Sequence, residues 1–219
     1  MVDRRLPLDG IRIADFSWYG AGPIGAQKLA WFGAEVIRVE SATRPDGLRN
    51  PTVARPGATG LNASGYYNNF NSNKLSLTLN MSMPQAPELA LKLIANCDVV
   101  LENYQAAIFE KWGLTYDAMK AARPDIIYVR MPMVGTVGPQ RTFQGFGAAV
   151  THLTGISHLS GFEDRAPIGV GSNYPDYVVN CGHGSISVLA ALLHRKRTGE
   201  GQLVEVAQVL STASVVGPA

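Results

Sequence analysis

Residues 11–40 place two short apolar runs, IRIADF (11–16) and AEVIRVE (34–40), on either side of PIGAQKLAWFG (23–33), which has helical character. Pro23 suits a first helical position and Gly33 a C-terminal stop. Strand, helix, strand in this order is a βαβ unit, and its crossover forces a parallel sheet. The alternation continues with a strand at LSLTL (75–79) and a helix at 86–97 that sets Leu89, Leu93 and Ile94 on one face. DVVLEN (98–103) reads as a strand and TYDAMKAAR (115–123) as a helix with Thr115 as N-cap, closed by Pro124. A strand at DIIYVRM (125–131), a helix inside 176–197, a glycine turn at TGEGQ (198–202) and a strand at LVEVA (203–207) complete the series. The expected class is α/β: a Rossmann-like, open, mostly parallel sheet with flanking helices.

Two stretches break the alternation. Residues 41–73 are polar and rich in Gly, Pro and Asn, and read as a long loop excursion of the functional kind. A second glycine-rich connection runs to about residue 150. The closing segment QVLSTASVVGPA (208–219) looks like a helix just beginning, so a further piece, or another chain, is expected to complete the domain. With 46% hydrophobic and 16% charged residues among 219, the chain can bury a core. A net charge of +2 with mixed signs argues against a general nucleic-acid binder but leaves room for a small anionic ligand. Cys97 and Cys181 are too few for a disulfide scaffold and fit no metal site; buried free thiols are expected. MVDRRLPLDG (1–10) has no apolar signal core and no run reaches 18 apolar residues, which gives no membrane span and a cytoplasmic default.

GAGPIG (20–25) satisfies G-x-G-x-x-G between a strand and a helix, and Glu40 lies about 20 residues on, as a dinucleotide fingerprint requires. Two features oppose that reading. DFSWYG puts polar and bulky residues between the strand and Gly20, and Pro23 lacks one N–H that a pyrophosphate would use. An NAD-dependent enzyme using Gly20, Gly22, Gly25 and Glu40, a tight strand-to-helix turn, and a different nucleotide-bearing ligand all remain open.

NYPDYVVNCGHG (173–184) isolates one acid, Asp176, behind Pro175 and ahead of small residues Gly182, Gly184, Ser185 and Ser187. An acid in a first helical turn is favoured by the macrodipole, by about 0.3–1 kcal/mol. The same position can mount a covalent nucleophile, with small residues letting a backbone or ligand approach.

Several segments, in order and spacing, resemble family III CoA-transferases, a group that includes the α-methylacyl-CoA racemases. They are LDGIRIADFSWYGAGP (8–23), WFGAEVIRVE (31–40), NSNKLSLTLN (71–80), CDVVLENY (97–104), WGLTYDAMKAARPDIIYV (112–129), GTVGP (135–139) and LAALLHRKRTGEGQLVEV (189–206). The resemblance implies that Asp176 is the nucleophile. Its carboxylate would attack an acyl-CoA thioester, giving a mixed anhydride and then an aspartyl-CoA thioester that an incoming carboxylic acid resolves. It also implies that Ala21, Gly22 and Pro23 line coenzyme A, with Tyr19 flanking it and Lys74, Asn103 and Tyr104 as contacts. Arg38 and Lys111 are further expected phosphate partners. The substrates implied are an acyl-CoA and a small carboxylic acid, with coenzyme A and no metal.

Family chains run to roughly twice this length, so residues 1–219 are expected to be the N-terminal part of a large CoA-binding domain lacking the family's C-terminal half. The implied assembly is a homodimer, or a complex with a chain that supplies that half. A racemase of the same group needs a second acid/base residue. The racemase pattern G-H-D is Gly145-Phe146-Gly147 here, which carries no base, while His152 and His183 stand at other positions. This favours transferase over racemase; a non-catalytic or truncated partner subunit is the remaining alternative.

Overall fold

The structure, a computed structural model, describes residues 5–50, 53–171 and 173–217. Residues 1–4 and 218–219 of the two terminal segments, and 51–52 of the loop excursion, lie outside the described residues.

Every expected strand forms. The strands are β1 (Arg12–Asp15), β2 (Glu35–Glu40), β3 (Leu75–Thr78), β4 (Val99–Glu102), β5 (Ile127–Arg130) and β6 (Leu203–Glu205). All pairings are parallel and the order is β3-β2-β1-β4-β5-β6. The order reverses between β1 and β4, and a doubly wound sheet opens a ligand crevice at that switch, beyond the carboxyl ends of the strands. The loops leaving β1 and β4 meet there.

The helices are α1 (Ala21–Trp31), α2 (Gly65–Phe70), α3 (Ala86–Ile94), α4 (Ile108–Lys111), α5 (Tyr116–Ala122), α6 (Gly147–Leu153), α7 (Ile156–Leu159), α8 (Cys181–Thr198) and α9 (Gln208–Ala213). One face of the sheet packs Ile13, Leu101, Ile127 and Val129 against Ala26 and Leu29 of α1 and Val188 and Ala191 of α8. The other packs Ala14, Val100 and Tyr128 against Ile94, Phe109 and Met119 of α3, α4 and α5. Both faces of the central strands are therefore covered, which is why they read as continuous apolar runs.

Local differences from expectation have identifiable causes. Helix α1 begins at Ala21, so Pro23 is its third residue rather than its first; the missing N–H costs nothing where a helix start has no acceptor for it. Gly33 does end the helix, at φ +106°. In α3 the buried residues are Ala86, Ala90 and Ile94, and Leu89 is exposed, so the inward face is rotated from the one expected. Thr115 caps α5 as expected, its Oγ1 accepting from Ala118 N–H at 3.2 Å. The expected helix over 176–197 is two objects, a π-helical stretch over Pro175–Asn180 and then α8. The described residues of the excursion 41–73 include regular structure: Ser64 caps α2 by accepting from Tyr67 N–H, and Ala54 bridges Ser64. Helices α2, α4, α6 and α7 are short and carry little apolar periodicity, which hides them from pattern reading.

Two glycines give opposite expectations. A β-carbon on Gly201 would lie 2.2 Å from Ile126 O, where α8 turns into β6. Gly201→Ala should destabilise the chain by about 1–3 kcal/mol through that clash. A β-carbon on Gly182, inside the helical run, meets nothing within 4 Å. Gly182→Ala should therefore stabilise by up to about 1 kcal/mol, the ordinary helix-propensity difference. Chemical denaturation of both variants at equal m-value checks the pair.

Candidate active site

Glycines build the site by letting segments meet. A β-carbon on Gly20 would lie 3.0 Å from the Asp176 β-carbon and 3.3 Å from the Tyr177 ring. On Gly22 it would lie 2.3 Å from Ser17 Cβ. On Gly25 it would lie 3.2 Å from Cys181 O, where Ser185 Oγ donates to Gly25 O at 3.1 Å. All three glycines of GAGPIG thus serve backbone approach, and the first brings the β1–α1 loop onto Asp176. Of the small residues after Asp176, Gly184 faces Met131, where a β-carbon would lie 2.7 Å from the sulfur, and Ser185 faces α1. Their smallness is used in packing α8 on β5 and α1.

Asp176 lies in the first turn of the π-helical stretch, a departure from α geometry that recurs at functional positions. Its Oδ2 accepts the Gly147 N–H at 3.0 Å, so the carboxylate caps the start of α6. The Asn180 side chain is its other partner. Burial pushes the Asp176 carboxyl up to about 6, against the hydrogen bonds from Gly147 and Asn180 that pull it down, and no cation enters that balance. Asn180 is fully buried and its Oδ1 accepts from Ser211 and Thr212 of α9. Gln208 of α9 donates to Met131 O at 2.7 Å, so the closing helix fixes the stretch that bears Asp176 to the sheet.

The expected ligand contacts fall into two groups. Tyr19, Ala21, Gly22, Pro23, Asn103 and Tyr104 converge on the switch point. Asn103 forms a reciprocal pair with Trp18, accepting Trp18 N–H and donating to Trp18 O, both at 2.7 Å. Tyr104 is enclosed with Trp18, Phe109 and Trp112 in an aromatic cluster, and burial raises its phenol well above the ordinary range. Ala21, Gly22 and Pro23 are buried in the first turn of α1. Tyr19 takes φ +60°, left-handed backbone uncommon for a bulky residue, and its N–H donates to Asp46 Oδ2 at 3.1 Å. Lys111 is exposed at the end of α4.

Arg38 and Lys74 differ from expectation, because neither cation is presented to solvent. Arg38 is 1% exposed, donates to Ser17 O and Asp46, and lies 3.7 Å from Asp15. The Lys74 ammonium, equally enclosed, donates to Asp15 Oδ2, Pro23 O and Asn71 Oδ1 at 2.8, 2.8 and 3.0 Å. Burial lowers Lys74 to about 8 against the pull of Asp15. Burial works to raise Asp15, but Lys74 and Arg38 outweigh it and hold the carboxyl below its ordinary value. Both cations hold the loop from beneath. Glu40, the acid a dinucleotide ribose would require, is tied instead to Arg49 and the Tyr67 hydroxyl.

Sequence reasoning missed Asp15, Asp46, Gly147 and Asn180. Only Gly147 left a signal, as the position where the G-H-D pattern has its acid. His152 Nδ1 pairs with Ala148 O within α6, and His183 Nδ1 with Val179 O of the preceding π-helical stretch. Both cysteines are free and buried, as expected, and Cys181 Sγ lies 3.1 Å from Lys28 Nζ. Among the described residues no helix is long and apolar enough to cross a membrane, and no group of three His, Cys, Asp or Glu could hold a metal ion.

The raised Asp176 pKa has a stability consequence. A carboxyl that binds its proton more tightly folded than unfolded destabilises the native state once pH exceeds the unfolded value near 4, and fully so above about 6. Asp176→Asn removes that penalty and should raise stability by up to about 3 kcal/mol at pH 7.5. The gain should vanish by pH 4, and urea melts of both proteins at the two pH values check it.

Comparison with known proteins agrees with this architecture. The succinyl-CoA–L-malate CoA-transferase alpha subunit of Chloroflexus aurantiacus is 35% identical over 205 residues, 92% of this chain and 46% of the relative. The succinate–glutarate CoA-transferase of Agrobacterium fabrum is 33% identical over 211 residues, 94% of this chain and 52% of the relative. The crystal structure of Rv3272 from Mycobacterium tuberculosis superimposes with a TM-score of 0.89 at 31% identity, over 97% of this chain and 58% of that one. The chain spans about half the length of the curated relatives it matches. The family model for CoA-transferase family III matches residues 8–219, and the chain belongs to that family.

Proposed function

We propose that this chain transfers coenzyme A between an acyl-CoA and a free carboxylic acid, with Asp176 as the covalent acceptor. The observation that carries the reading is a desolvated carboxylate, without a cation, set against the Gly20 loop at the switch point of a family III fold. The Asp176 carboxylate attacks the thioester carbonyl; the C–S bond breaks and CoA thiolate leaves with the electron pair, giving a mixed anhydride. The thiolate then attacks the aspartyl carbonyl and expels the first acid. The incoming carboxylate attacks that aspartyl thioester, and the released thiolate returns to form the new acyl-CoA and free Asp176. Each intermediate keeps an activated acyl bond, anhydride or thioester, at Asp176, which requires water to be kept out. Each also builds charge on a carbonyl oxygen, for which N–H groups such as that of Gly147 are the fitting donors.

Phe146, at the position where the racemase pattern has its histidine, supports transfer over racemisation. The names of the relatives, an alpha and a beta subunit among them, support a second copy or partner chain completing the site. Tyr19, Ala21, Gly22, Pro23 and Asn103 would shape the coenzyme A groove, with Tyr104 packed behind it. Lys111 would meet phosphate at its rim, while Arg38 and Lys74 would support the groove from beneath.

Incubation with an acyl-CoA followed by hydroxylamine should place a hydroxamate on Asp176, found by peptide mass spectrometry, with none in Asp176→Asn. Labelling should rise with pH through about 6 and level off as the carboxylate ionises. An unlabelled Asp176 in a preparation that binds coenzyme A would overturn the reading.

A further inference from the structure

Two exposed aromatic residues, Tyr19 at the side of the proposed coenzyme A groove and Phe146, are next in sequence to the glycines that meet Asp176, and no bond-making step of the transfer uses their rings. Tyr19 precedes Gly20, whose Cα approaches the Asp176 side chain, and Phe146 precedes Gly147, whose N–H binds the carboxylate. The rings of Tyr19 and Phe146 meet edge to face, with centroids 4.8 Å apart and planes at 62°, although they are 127 residues apart in sequence. The Tyr19 hydroxyl end is fixed over Gly47, where a β-carbon would lie 2.3 Å from it. Tyr19 is 36% and Phe146 58% exposed, so apolar ring surface remains open on both residues. On the other flank Tyr177 packs edge to face on Phe70 at 4.8 Å. The arginines that stack on rings nearby, Arg38, Arg44 and Arg49, do so on Tyr67 and Trp18 instead.

We propose that Tyr19 and Phe146 form the wall of the acyl subsite and select an apolar acyl group, branched or aromatic, over one that ends in a second carboxylate. The inference rests on the reading of Asp176 as the acyl acceptor. An apolar acyl group on the reacting carbonyl gains ring contact and displaces water from the carboxylate. A succinyl group instead brings a second negative charge into a desolvated place beside Asp176, with aromatic carbon where a cation would have to be. The named relatives act on dicarboxylic acids, so this wall marks a difference in substrate class within the family.

The test is calorimetric titration of the 219-residue chain with coenzyme A, benzoyl-CoA and succinyl-CoA, using Asp176→Asn to prevent turnover. Benzoyl-CoA should bind at least about tenfold more tightly than succinyl-CoA, the discrimination a small apolar pocket provides. In that background Phe146→Lys should bring the ratio close to one or reverse it, and Phe146→Leu should keep it. Equal binding of the two thioesters, or a ratio that Phe146→Lys leaves unchanged while coenzyme A still binds, overturns the inference alone. Failure to bind coenzyme A overturns the reading of the site and the inference with it.

Discussion

The Arg38–Asp46 and Lys74–Asp15 pairs, buried where β1 and β2 end, hold the part of the structure on which the candidate site depends. Neither cation is free to move, because each is enclosed and donates to main-chain carbonyls as well as to carboxylates. Charges buried this way are costly to desolvate, and removing one partner typically costs about 3–5 kcal/mol because the other is left unpaired. The pairs therefore specify geometry more than they add stability. Arg38 fixes Ser17 O, Asp46 holds the left-handed Tyr19, and Lys74 reaches the first turn of α1 at Pro23 O. Between those anchors the chain has one path, and Gly20 lies on it against Asp176.

That constraint accounts for a glycine pattern that imitates a dinucleotide fingerprint. In a fingerprint the glycines clear space for pyrophosphate at a helix start. Here Gly20, Gly22 and Gly25 clear space for Asp176, for Ser17 and for the α8 backbone. The acid at the end of β2 completes the imitation, yet Glu40 is taken up by Arg49 and by Tyr67 of α2, both within the excursion 41–73. The same topology and the same small residues thus present a side chain of the protein itself at the place where a doubly wound fold usually presents a cofactor.

The sheet was legible because its strands are apolar runs separated by turn residues, and a chain of such runs alternating with helices has few topologies open to it. Asp176 was visible as an isolated acid behind a proline, but its role came from resemblance, since a helix start explains the same residue equally well. The buried pairs were not legible. Lys74 and Asp15 are 59 residues apart, and a cation near a ligand motif looks like a ligand contact until its partner is seen. The π-helical stretch was hidden too, because its hold on α9 runs through Asn180, Ser211 and Thr212, which carry no periodic signal. Phe146 drew attention only within the Gly145-Phe146-Gly147 match to the racemase G-H-D pattern, as lacking a base, and its meeting with Tyr19 is a tertiary fact.

Asp15 and Asp176 show why the cations are placed as they are. Asp15 is fully buried and Asp176 partly so; two cations pull Asp15 below its ordinary pKa, while Asp176 has an N–H and an amide for partners and rises to about 6. The raised pKa makes Asp176 a stronger base than a solvated carboxylate while leaving it mainly ionised at neutral pH. A cation beside it would increase ionisation slightly and weaken it as a nucleophile for the proposed acyl transfer. The protein instead uses the nearby positive charge under the loop, where it sets backbone position, and surrounds Asp176 with glycine, amide and aromatic carbon. The separation serves both demands of the proposed chemistry, since groups that keep Asp176 basic also hold water at a distance from an anhydride.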